Sequence, residues 1–144
     1  MRLAAGITSP TGNSELSAST VLIVDDDVAL VEALTDFLEY EGYGVATAAD
    51  GLAALDQLRR GLRPCVILLD LMMPGMNGWD FRREQMKDDE LEDIPVIVMT
   101  AANLSARSVK AELGDVEFVP KPAPKNMLVA AIRRRCGHPS NDGD

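Results

Sequence analysis

Five short apolar runs recur along this chain, and the stretches between them read as helices. That alternation constrains the fold more than any other feature. The runs are "VLIV" at 21–24, "YGVATAA" at 43–49, "CVILLD" at 65–70, "IPVIVMTA" at 94–101 and "VEFVP" at 116–120. Runs this short, apolar on both faces and separated by helical stretches, belong to a parallel sheet covered on both sides. "DDVALVEALTDFLEYEG" predicts a helix with Val28, Val31, Leu34 and Leu38 inward, an aspartate at its start and Gly42 at its end. Asp50 is placed to cap "GLAALDQLRRG", with Leu52, Leu55 and Leu58 inward. A third helix is expected from about Trp79. Residues 103–113 make a weaker fourth one, expected to be the least stable, and 124–136 a fifth with Leu128, Ala131 and Ile132 inward. Between the third strand and third helix, "LMMPGMNG" is loop chemistry.

The 144 residues suit one domain with one core. We expect a flexible N-terminal arm over 1–19, the domain over 20–137 and a flexible tail over 138–144. No apolar run reaches the roughly 20 residues of a membrane helix, and the first residues lack the apolar centre of a signal peptide. Cys65 and Cys136 stand in no metal or disulfide pattern, which favours a reduced, cytoplasmic setting. A net charge of -9 argues against direct DNA binding. The charge is uneven. Residues 84–93 hold six acids and one lysine, and 120–136 hold five bases and no acid. Both read first as solvated surface, and together they can orient a partner.

In an open parallel sheet the chemistry lies beyond the carboxyl ends of the strands. The first strand delivers Asp25 and Asp26 there, the third Asp70, the fourth Thr100 and the fifth Lys121. Two unit charges about 4 Å apart interact by roughly 4 kcal/mol at an effective dielectric of 20. Three clustered carboxylates therefore repel or take up protons unless a cation joins them. All-oxygen ligation suits magnesium, which keeps waters that a phosphoryl group can replace. One carboxylate can then attack phosphorus, with Lys121 and the metal offsetting charge on the phosphoryl oxygens. Each residue alone has an ordinary reading as a strand end, a cap or a surface charge. Their joint placement at four strand ends is harder to read that way.

These residues resemble the receiver domains of two-component response regulators. The resemblance is carried by "VLIVDDD", "VILLDLMMPGMNGWDF", "VIVMTA" and "FVPKP", with Asp70 following Asp26 by 44 positions. It covers about residues 20–136. It implies a doubly wound, flavodoxin-like α/β fold, with a five-stranded parallel sheet in the order 2-1-3-4-5 and five helices on both faces. It implies that Asp70 accepts a phosphoryl group from a sensor histidine kinase or histidine phosphotransfer protein. Asp26, Asp70 and the main-chain carbonyl of Met72 would bind Mg2+, and Asp25 mainly through water. Lys121 would pair with the acceptor carboxylate and then with the phosphate. Ala101 would offer the phosphate an amide. Thr100 would move toward it and Phe118 would turn into the space vacated. A cis bond between Lys121 and Pro122 is a further family trait.

Two departures matter. Phe118 lacks a tyrosine hydroxyl, so a switch there rests on ring packing. The segment from Thr100 to Lys121 is about one residue shorter than in some relatives. The two side chains that tune attack by water in the family are here Met72 and Ala102, neither able to orient water, so slow self-dephosphorylation is expected.

The reading is a stand-alone signalling switch that acts on an effector protein. It is not an enzyme, beyond catalysing its own phosphorylation and slow dephosphorylation. Phosphorylation-driven dimerisation stays open, and no membrane partner is expected. The alternatives are a relay intermediate passing phosphate to a histidine phosphotransfer protein and, in a different class, an aspartate-nucleophile phosphatase. Against the phosphatase, Met72 stands where such enzymes carry a second acid. A flavin or nucleotide binder lacks its glycine- or hydroxyl-rich loop after the first strand. A pseudo-receiver would not need the whole acid, threonine and lysine set.

Overall fold

A computed structural model describes residues 19–101 and 103–137. The sheet comprises β1 (Thr20–Val24), β2 (Gly44–Ala48), β3 (Val66–Leu69), β4 (Val96–Thr100) and β5 (Glu117–Pro120). Its helices are α1 (Val28–Tyr40), α2 (Gly51–Arg59), α3 (Gly78–Met86), α4 (Ala106–Leu113) and α5 (Lys125–Cys136). All strand pairs are parallel and the order is β2-β1-β3-β4-β5, as expected. The chain reverses direction across the sheet between β1 and β3, which opens a crevice at their carboxyl ends.

Alternate residues of the central strands feed two cores. Leu22, Val24, Ile67, Leu69, Val96 and Val98 pack under α2, α3 and α4. Val21, Ile23, Val66, Leu68, Ile97 and Met99 pack under α1 and α5. This two-sided burial is why these strands carry no polar alternation. Asp27, Asp50, Asn77 and Ser105 each accept a backbone amide at a helix start.

Several expectations need correction. Val28 and Leu52 are exposed, at 69% and 60%. Val28 is the first residue of α1, ahead of the turns that cover the sheet. Leu52 lies one position off the stripe formed by Gly51, Ala54, Leu55 and Leu58. The fourth helix starts at Ala106, three residues later than expected, because Ser105 caps it. Ser19 is buried and its carbonyl accepts from the amide of Gly44, so it is tied to the sheet. The rest of the arm, and the tail, lie outside the described residues. The cysteines are also not the isolated pair the sequence suggested. Cys65 and Cys136 form a disulfide. Helices here run back against the strands, so the end of α5 returns to the edge where β3 begins.

Phe81 is the one large apolar side chain that α3 buries; its other anchor is polar. The buried Arg82 donates from Nε to the carbonyl of Leu113 at 2.9 Å and from Nη1 to Gln85 Oε1 at 2.8 Å. Gln85 in turn donates to the carbonyls of Leu91 and Ile94 at 2.9 and 3.0 Å. Burial lowers the Arg82 pKa, and Asp115 acts against that shift.

The loop after β3 is fixed by close approach. The amide of Gly51 donates to the carbonyl of Met76 at 2.9 Å, and that of Gly78 to the carbonyl of Leu71 at 3.1 Å. Gly75 turns the loop at φ 75°, a conformation that favours glycine. A Cβ on Gly78 would lie 2.5 Å from the carbonyl oxygen of Asp70 and 2.8 Å from Cα of Leu71. Both neighbours are backbone and cannot rotate away. We expect Gly78→Ala to lower stability by about 1–3 kcal/mol in urea unfolding. It should also disturb the position of Asp70.

Candidate functional site: the acidic crevice

Each strand places its terminal side chain through main-chain pairing. The amide of Asp25 donates to the carbonyl of Ala48, that of Asp70 to Val24, and that of Lys121 to Thr100, all at 2.9–3.0 Å. The strand ends are thereby aligned. Carboxylate oxygens of Asp25, Asp26 and Asp70 come within 4.8 Å of one another. Asp25 and Asp70 are buried, and Asp26 is open to solvent.

Lys121 Nζ reaches in from the fifth strand end, 2.7 Å from Asp25 Oδ2 and 3.9 Å from Asp70 Oδ2. The resemblance implied pairing with Asp70, yet the tighter contact is with Asp25. Asp25 is the more enclosed side chain, and its other oxygen accepts the amide of Asp27 at 2.9 Å. A carboxylate so enclosed holds its negative charge only with such partners. Asp27, the last of the three consecutive aspartates, is exposed and caps α1.

Burial pushes the Asp70 carboxyl above its ordinary range, and the Asp25 charge adds to that. Lys121, the amide of Met72 and the Thr100 hydroxyl pull the other way. The Met72 amide lies 3.4 Å from Asp70 Oδ1, while its side chain is exposed. Thr100 is fully buried at the end of β4. Ala101 follows it at the surface. Phe118 is half-buried and packs against the core under α2, α3 and α4. The bond between Lys121 and Pro122 is cis. Ala102 lies outside the described residues.

Magnesium oxygens at about 2.0–2.1 Å put adjacent ligands about 3 Å and opposite ones about 4 Å apart. A spread within 4.8 Å therefore fits one ion with small side-chain adjustments, or with one carboxylate acting through water.

The profile of the response regulator receiver domain matches residues 21–133. The chain belongs to the response regulator receiver family. It is 40% identical over 128 residues to a transcriptional regulatory protein, the CpxR homolog of Haemophilus influenzae. That match covers 86% of this chain and 54% of the relative. It is also 40% identical over 116 residues to the DNA-binding response regulator MtrA of Mycolicibacterium paratuberculosis, covering 80% and 50%. The chain thus spans about half the length of these curated relatives. Among solved structures, a putative response regulator from Chloroflexus aurantiacus superposes with a TM-score of 0.75 at 30% identity, covering 83% of this chain and 98% of that one. The receiver domain of sensor histidine kinase PA1611 from Pseudomonas aeruginosa, described with magnesium in its active-site cleft, gives 0.74 at 27%, again covering 83% and 98%.

These relatives overturn the expectation of no direct DNA binding, since regulators named for DNA binding share this stretch at 40% identity. The physical reason is plain: the net charge of a receiver-length stretch says nothing about the other half of relatives about twice as long.

Among the described residues, the crevice brings together Asp25, Asp26, Asp70 and Lys121, which the sequence placed at strand ends. The sequence missed the Asp25–Lys121 contact, because burial decides which carboxylate most needs the ammonium.

Proposed function

We propose that this receiver is a phosphorylation-controlled switch in a two-component pathway, with Asp70 the acceptor. The convergence of three carboxylates and Lys121 in one half-enclosed crevice carries this reading. Mg2+ bound by Asp26, Asp70 and the carbonyl of Met72 would neutralise the acids and stabilise charge on the transferring phosphoryl group. Asp25 suits ligation through water, because its oxygens already serve Lys121 and the Asp27 amide. An Asp70 oxygen forms the new P–O bond as the P–N bond to the donor's histidine breaks, and the electron pair stays on the imidazole nitrogen. Lys121, freed in part from Asp25, follows the new negative charge. Thr100 and the amide of Ala101 close on the phosphoryl oxygens, and Phe118 turns into the space Thr100 leaves.

The donor is a sensor histidine kinase or a histidine phosphotransfer protein, and the setting is cytoplasmic. The protein performs no reaction on a separate substrate beyond its own phosphorylation and dephosphorylation. The DNA-binding relatives extend the reading: in such a regulator the switch would govern a DNA-binding part. Incubation with labelled acetyl phosphate tests it directly. Label should enter in magnesium and not in EDTA, and equal labelling in both would count against the reading.

A second expectation concerns lifetime. The Met72 side chain is exposed and carries no acid or amide to orient water, and Ala102 carries none either. Label should therefore persist for minutes or longer in excess magnesium. Loss within seconds, followed by filter binding, would show that other groups activate the water.

A further inference from the structure

The end of the sheet opposite the acidic crevice holds a feature that phosphoryl transfer does not use. Cys65 immediately precedes β3 and Cys136 is the last residue of α5, and their disulfide spans a sequence separation of 71. Two further contacts meet at this corner. The Tyr43 hydroxyl donates to the carbonyl of Gly137 at 2.9 Å, and Arg133 pairs with Glu41 at 3.3 Å. The helix between this corner and the crevice is α5, whose first residue follows Lys121 by four positions. It packs on the sheet through Leu128, Val129, Ala131 and Ile132.

Three observations bear on how the bond behaves. Both cysteines are half-buried, so a small thiol or disulfide can approach. The Cys65 sulfur lies 3.4 Å from the carbonyl of Thr20, so an opened bond leaves its thiol with an acceptor already in place. The buried apolar residues of α5 are Leu128, Val129, Ala131 and Ile132, with Cys136 only packed at the margin of that core, so the helix can stay docked when the bond opens.

We propose that Cys65 and Cys136 form a reversible redox clamp on the last turn of α5. The proposal rests on the cytoplasmic receiver reading to this extent: a reducing compartment holds the pair as thiols until an oxidant arrives. Closure needs a low-molecular-weight disulfide of the glutathione type. One cysteine thiolate attacks it, an S–S bond forms and a small thiol leaves. The second cysteine thiolate attacks the mixed disulfide and expels the second small thiol. The two protons lost by the protein thiols end on the two small thiols, and two electrons pass to the small disulfide. Opening is the reverse, driven by excess small thiol. When closed, the clamp holds the last turn to β3. When open, that turn is held by the Tyr43–Gly137 hydrogen bond and by ion pairs of Arg133 with Glu41 and of Arg134 and Arg135 with Glu117, solvent-facing contacts that give way more readily than a covalent link.

The test equilibrates the full chain with graded ratios of oxidised to reduced glutathione. Free thiols are counted by the maleimide mass shift, and amide exchange is followed at residues 131–137. We expect two labels at the reducing end and none at the oxidising end, with no one-label plateau. Exchange in the last turn should be about tenfold slower in the oxidised form. Cys65→Ser should show the fast rate in both buffers. Any of four results would overturn the clamp: thiols that stay free at every ratio, pairing between two chains, a bond that excess thiol does not open, or equal exchange in both forms. Labelling of Asp70 by acetyl phosphate, run in parallel, keeps the two ideas apart. A working clamp without label would refute only the phosphoryl reading, and label without a clamp only the redox one.

Discussion

Asp70→Asn is expected to reduce labelling by acetyl phosphate or by a phosphorylated histidine donor to background. The amide keeps the shape of the side chain, so the crevice retains its packing. It loses the anionic oxygen that must attack phosphorus. Undiminished label would show that another group is the acceptor. The same variant carries a second, opposite expectation for stability. Burial and Asp25 raise the Asp70 carboxyl above its unfolded value. A carboxyl raised on folding binds its proton more tightly in the native state. Near neutral pH, where it is ionised in both states, its charge therefore costs native stability, and that cost fades as pH falls through the raised value. Asparagine carries no such charge. In EDTA at pH 7 the variant should melt a few degrees higher than the parent chain. Magnesium should narrow the gap, because the cation stabilises only the carboxylate form. Loss of function with gain of stability would distinguish an acceptor from a residue needed for folding.

The second large effect concerns the disulfide. Linking residues 71 positions apart restricts the unfolded chain far more than a short loop would. On the chain-entropy account a link of this span is worth roughly 4 kcal/mol, and residual structure in the unfolded state lowers that figure. Reductant should therefore lower the melting temperature of the oxidised protein by on the order of 10 °C. Cys136→Ser should melt near the reduced value and show no further response to reductant. A parent chain whose melting is unchanged by reductant would show that the link adds nothing to the native state. The measurement needs no phosphodonor, so it stands apart from the chemistry of Asp70.

Much of this architecture was legible because its determinants are local. Four-to-five-residue runs such as Val66–Leu69, apolar at every position, have few places to go except the middle of a covered sheet. Once the strands were parallel, the residues following them had to meet, and Asp25, Asp26, Asp70, Thr100 and Lys121 did. What the pattern did not reveal depends on the third dimension. Leu52 has the right chemistry for a core and sits one residue off the inward line of α2. Arg82 and Gln85 have the polar side chains usual on a solvated helix face, and the carbonyls of Leu113, Leu91 and Ile94 make them interior. The cysteines carried a signal that spacing alone hides. One precedes a strand and the other ends a helix, and in a doubly wound fold those two ends share one edge. The choice of Lys121 between Asp25 and Asp70 had no local signal at all.

The contact between Lys121 and Asp25 sets the electrical balance of the crevice. Three ionised carboxylates and one ammonium leave two net negative charges, which a single divalent ion cancels. Joining a phosphoryl group to Asp70 replaces one negative charge with about two, so neutrality is lost again by roughly one unit. A surplus of that size in a half-enclosed space draws in whatever donors can reach it. The free energy that moves the outer surface of such a domain would then originate in an uncompensated unit of charge, with the hydroxyl of Thr100 among the first groups to answer it.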